Sequence, residues 1–160
     1  MDDFDWYRLF ETLHMLSVIL LGGGIAIQNV AGPMLPKVKS VQEVRALAAM
    51  MRTADNFLIV PAVVLLTVFG YLTADRANYD LDLTWLFLGQ ILFYAAVVIS
   101  FTYLRGATNR LNRMAQAAPD GPVTADLTDE MKKPGPAILG TLLTLIFIFI
   151  VYLMVAKPGW

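Results

Sequence analysis

The segment Tyr7–Val30, YRLFETLHMLSVILLGGGIAIQNV, constrains this chain more than any other. Its 24 residues make a helix about 36 Å long at 1.5 Å per residue, enough to cross a hydrocarbon core of roughly 30 Å. On a helical wheel Tyr7, Glu11, His14, Ser17, Gly24 and Gln28 fall on one stripe, and Leu, Ile, Met and Val fill the opposite side. A span that is polar or small along one face turns that face toward other helices, where its side chains find partners that lipid does not offer. The rest of the chain must supply those helices.

Three further apolar stretches do so, and the expected fold is all-α: a polytopic four-transmembrane-helix bundle with spans near 7–30, 56–74, 83–104 and 136–156, in a single domain over 1–160. A hydrophobic share of 58% against 16% charged residues is too apolar for an ordinary soluble domain. Gly32, Pro33 and Pro36 break the first span, and Ser40 with Glu43 makes the capping-box pattern that opens a second helix. Pro61 should kink that helix. Trp85 and Tyr103 sit at the two ends of the third span, where aromatic belts lie, and the helical pattern runs on past Arg105, Arg110 and Arg113 to Pro119.

The segment PDGPVTADLTDEMKKPGP then reads as an exposed loop with one short helical turn near Asp126 to Met131. Polar segments of this composition are often ordered by binding, so 105–135 is ordered either alone or only against a partner. Pro136 suits the first turn of the fourth helix, whose nearly uniform LLTLIFIFIVYLMV faces lipid or an apolar partner. Lys157 and Trp160 follow as interfacial anchors.

Nine of the twelve Lys and Arg residues lie in the first and third connections. That bias places those connections in the cytoplasm and both termini outside. The start MDDFDW is acidic and lacks the positive region of a signal peptide, so the first span is expected to be retained. With no cysteine and one histidine, disulfides, thiol catalysis and multi-histidine metal sites within one chain are excluded. No long basic face interleaved with aromatics points to nucleic acid, and no Walker, GxSxG, HExxH or dinucleotide motif is present.

His14 is the sharpest candidate, because an ionisable group at membrane depth marks a functional position by default. It reads either as a structural histidine bonded to Glu11 or a neighbouring helix, or as an axial ligand to a tetrapyrrole or a proton relay with Glu11. Gly22, Gly23 and Gly24 would let a flat ring or another backbone approach closely. A polar cluster is expected where Gln28 and Asn29 meet Arg52, Asp55 and Asn56, with Arg52 and Asp55 paired along one helix face. Gln90, Tyr94, Ser100 and Thr102 look like interhelical hydrogen-bonding positions, and the eight scattered methionines like gap fillers.

The opening LHMLSVILLGGG, the RTAD followed by IVP, Trp85 and the closing Met154, Val155, Lys157, Pro158 together resemble an uncharacterised bacterial family of predicted four-span integral membrane proteins. This resemblance covers nearly the whole chain and implies a location in the bacterial cytoplasmic membrane. More remotely, the Leu-His pair before a glycine-rich turn is similar to copper-resistance-D-type proteins and to the haem-dependent membrane protoporphyrinogen oxidase. That likeness would match His14 to a haem-ligating first-helix histidine, but the further basic and histidine positions of such proteins have no match here. Without a catalytic constellation, the sequence points to a small accessory or structural subunit that partners the lipid bilayer and other membrane proteins. The alternatives are a tetrapyrrole-binding redox protein using His14 and a small proton-linked transporter working through Glu11, His14 and Asp55.

Overall fold

The computed structural model describes residues 5–158. It is helical from end to end, with four helices long and apolar enough to cross a membrane: Trp6–Lys37, Val41–Arg76, Thr84–Ala117 and Ala125–Ala156. The fold is the expected all-α four-helix membrane bundle. Trp160 and the first two aspartates, Asp2 and Asp3, lie outside the described residues.

Helix α1 (Trp6–Met34) is capped by Asp5, whose side chain accepts from Arg8 N. It passes through Gly32 and Pro33 and ends in a 3-10 turn at Leu35–Lys37, so the break falls about one turn later than the prolines suggested. α2 (Val41–Ala54) starts on the capping box read from the sequence: Ser40 Oγ accepts from Glu43 N at 3.3 Å, and Glu43 Oε2 accepts from Ser40 N at 3.2 Å.

α2 runs into α3 (Val60–Arg76) through a π turn at Asp55–Ile59. Here lies the effect of Pro61. Its ring would strike the carbonyl four residues back, and the widened turn, in which Val60 N donates to Asp55 O, displaces that carbonyl without ending the helix. The third long helix repeats the device. α4 (Thr84–Ile99) continues into α5 (Arg105–Ala117) through a π turn at Ser100–Leu104, where Arg105 N donates to Ser100 O. α6 (Ala125–Met131) and α7 (Pro134–Ala156) complete the chain.

Two packed units result. Among the spans α1 packs on α3 and on α7, and α7 packs on α4. Leu21, Ala62 and Leu66 are buried at the centre, with Phe93 and Phe147 against them. The polar ends of the helices build a cap in which α2 packs on α5 and α5 on α6. Its core of Leu35, Val41, Val44, Leu111, Ala115 and Leu127 is the most thoroughly buried part of the protein, with Val41, Val44 and Ala115 fully enclosed.

The helix continues through Arg105–Ala117 as its pattern suggested, and the connection as a whole is folded on this chain's own α2. Every third or fourth residue of α5, namely Thr108, Leu111, Asn112 and Ala115, is buried, so the segment has the apolar stripe of a packed helix despite its charge. The Arg45 guanidinium fastens the end of α5, donating to Ala115 O at 2.8 Å, to Ala118 O at 2.6 Å and to Asp120 Oδ1 at 2.5 Å. Beyond it the backbone pairs Val123 N with Lys39 O and Val41 N with Gly121 O. Gly121 turns the chain there at a φ of 133°, a region that favours glycine.

Candidate functional site

Both π turns lie where the spans meet the cap, and the polar groups of the membrane boundary gather around them. Gln28 Nε2 on α1 donates to Asp55 Oδ1 at 2.9 Å and to Met51 O at 3.0 Å. Arg105, the residue after the second π turn, donates from Nη2 to Asn56 Oδ1 at 2.7 Å, and its guanidinium carbon lies 5.6 Å from the Phe101 ring centroid. Asp55 faces the field of the same guanidinium. One carboxylate, one guanidinium and two amides thus tie α1 to both bent helices. All four residues are partly buried, which strengthens charge-assisted bonds relative to water.

The glycines of α1 make this approach possible. A Cβ on Gly24 would lie 2.5 Å from Ile59 Cγ1 and 3.3 Å from Leu58 Cβ, so only glycine admits the π turn at that distance. Gly22 faces Phe147 at ordinary contact distance, and Gly23 faces open space. A flat macrocycle laid on this glycine face would have to displace Leu58, Ile59 and Phe147. These residues do not form a slot for one.

Not every expected member of the cluster belongs to it. Asn29 turns to α7, exchanging hydrogen bonds with Thr144 Oγ1. Arg52 is exposed and forms no ion pair with Asp55; Asp55 accepts from Gln28 instead. Glu11 lies at the other end of α1, exposed, and accepts from Tyr7 at 3.0 Å rather than from His14. The structure does not bring Glu11, His14 and Asp55 together.

His14 packs against Gly70 of α3. A Cβ at Gly70 would sit 3.3 Å from His14 Cε1 and 3.4 Å from its Nδ1. Nδ1 is buried and has no partner among the described residues, a condition shared with Trp85 Nε1 and Gln90 Nε2. Among the described residues no three metal-binding side chains converge.

A second feature lies between α3 and α4. These helices are consecutive in sequence, yet their backbones come within packing distance almost nowhere. Side chains bridge the seam: Tyr71 Oη donates to Gln90 Oε1 at 3.1 Å, and Tyr94 Oη donates to Tyr71 Oη at 3.4 Å. Gln90 and Tyr94 are thus interhelical, as their type suggested, whereas Thr102 bonds back to Val98 O of its own helix. Trp85 is buried instead of lying in an aromatic belt. It meets Tyr79 edge to face, and the Lys157 ammonium sits 5.8 Å from its ring and 2.7 Å from Tyr79 Oη.

Sequence reasoning missed Arg105, Arg45, Gly70 and Thr144. Arg105 carried only the weak signal of a basic residue at the end of a span. The other three depend on which helices become neighbours, and no local pattern encodes that.

Spans, cap and boundary cluster define a polytopic helical membrane protein with a folded polar cap. The cluster ties α1 to both bent helices through Gln28, Asp55, Asn56 and Arg105. Within that class the chain belongs to the DUF2269 family of predicted integral membrane proteins, whose family model matches residues 8–158. No curated protein and no solved structure matches it.

Proposed function

We propose that this protein is a small accessory or structural subunit of a larger membrane complex, docked through the seam between α3 and α4. The observation that carries this reading is Tyr94. It lies ten residues into α4, about 15 Å from the helix start at 1.5 Å per residue, and is 40% exposed. A phenol at that depth is too deep for an interfacial belt and gains from a partner helix that offers hydrogen-bonding groups.

The location that goes with this reading is the bacterial cytoplasmic membrane, with the cap inside and both termini outside. It rests on the family resemblance and on the concentration of basic residues in the first and third connections. A photo-crosslinking residue at position 94, activated in native membranes, should give a discrete heavier adduct, and Tyr71→Phe/Tyr94→Phe should lower co-purification of the partner. A protein that leaves its native membrane in mild detergent as a lone monomer and gives no adduct overturns the reading.

A second reading keeps His14 as an axial ligand, favoured by its buried, unpartnered Nδ1. A tetrapyrrole absorption band in the purified protein, lost in His14→Ala, would support it; a colourless protein retires it.

A further inference from the structure

Where α1 gives way to the 3-10 turn, a shallow concavity opens at the membrane boundary, lined by Met34, Lys37, Val38, Lys39 and Glu43. Two ammonium groups rise from it. Lys37 and Lys39 are exposed, and among the described residues neither has a carboxylate within ion-pair distance. Glu43, the one acid of the concavity, is turned to the backbone, where Oε2 accepts from Lys39 N at 2.9 Å and Ser40 N at 3.2 Å. Set against that single carboxylate, the two lysines leave one net positive charge in the concavity.

The apolar side of the concavity leads into the membrane. Val30 and Met34, 62% and 45% exposed, lie one turn apart on the same face of α1. They make a track about 6 Å long from the end of the span to the lysines, close to the depth of one headgroup layer. A hydrocarbon track ending in paired cations at headgroup depth complements an anionic phospholipid, its acyl chain along Val30 and Met34 and its phosphate between the ammonium groups. A zwitterionic lipid brings its own cation to the two lysines and is disfavoured. From this geometry we infer that the concavity is a binding site for one anionic phospholipid, with Lys37 and Lys39 as its phosphate ligands.

The test uses the full chain in nanodiscs of mixed phosphatidylglycerol and phosphatidylcholine, with native mass spectrometry of retained lipid during detergent exchange. Lys37→Gln/Lys39→Gln should lower retained phosphatidylglycerol by roughly ten- to thirty-fold. Lys37→Arg/Lys39→Arg should keep it, and Arg113→Gln/Lys132→Gln, an equal charge change elsewhere on the cap, should leave it within two-fold. Wild-type retention in the glutamine pair overturns the inference. So does an equal loss in the remote pair, which would make the attraction diffuse. Equal protection of the wild type by inorganic phosphate alone would also overturn it, because the site would then read phosphate and not lipid.

Discussion

The cap stands or falls with Arg45. Replacing it with methionine keeps the aliphatic stem and removes the fork that closes the end of α5. Two of its bonds go to backbone carbonyls, Ala115 O and Ala118 O, at 2.8 and 2.6 Å. Hydrogen bonds to a charged donor contribute about 1.5 to 3 kcal/mol each. The Arg45 side chain is 26% exposed, so the low end applies, giving about 3 kcal/mol for the pair. The ion pair to Asp120 adds under about 1 kcal/mol, because that carboxylate is 70% exposed. About 3 kcal/mol is roughly a hundred-fold in the opening equilibrium of the cap. Amide hydrogen exchange followed by mass spectrometry should therefore show residues 105–131 exchanging about a hundred-fold faster in Arg45→Met, with the buried parts of α1 and α7 unchanged. Exchange within three-fold of wild type refutes the reasoning. An equal effect from Asp120→Asn would also refute it, since the carbonyl bonds would then carry nothing.

Further predictions follow from single contacts. Gly24→Ala should destabilise by about 1 to 3 kcal/mol through overpacking against Ile59, while Gly23→Ala, which meets nothing, should be silent in thermal unfolding. Arg105→Gln should cost about 1.5 kcal/mol or more by releasing Asn56 and should raise amide exchange at both π turns; unchanged exchange there would show that the bulges hold without it. At the outer end, Lys157 sits at φ 41° with its ammonium over Tyr79, so Lys157→Ala should fray α7 more than Lys157→Gly, which loses the same contact but relieves the backbone. Glu130, in α6 outside the apolar spans, is raised by burial but lowered further by its hydrogen bonds to Lys133 and Arg110, for a net downward shift. Its contribution is present above the usual glutamate range near 4.3 and is lost as pH falls through the lowered folded value. Cap protection should drop on acidification, and Glu130→Gln should flatten that drop.

The spans were legible in the sequence because hydrophobic length is a local property, and so were the capping box at Ser40 and a helical turn near Asp126 to Met131, which the structure gives as Ala125–Met131. The π turn before Pro61 was visible only as a disturbance. A proline announces that one carbonyl must move, and neighbouring helices decide whether the chain bends or widens. The boundary cluster was half legible: Gln28, Asp55 and Asn56 carried the signal of polar residues at one depth, but Arg105 entered only through tertiary placement. The helix past Arg105 to the residues before Pro119 was legible, but not what it packs on, because nothing local says that α2 lies opposite.

The two π turns also set the phase between membrane and cap. Each adds about one residue to a turn of 3.6, so each rotates whatever follows by about 100° relative to an unbroken helix. Val41 and Val44 meet Leu111 and Ala115 because both long helices carry that rotation at the same level. A one-residue deletion within 55–59 alone would swing the buried face of α2 away from α5 while every span still crossed the bilayer. The membrane half of this protein tolerates changes in length far better than the joint does. Each bulge turns its own helix about its own axis, so a deletion in one is not made good by a deletion in the other, and the joint holds only while both are kept.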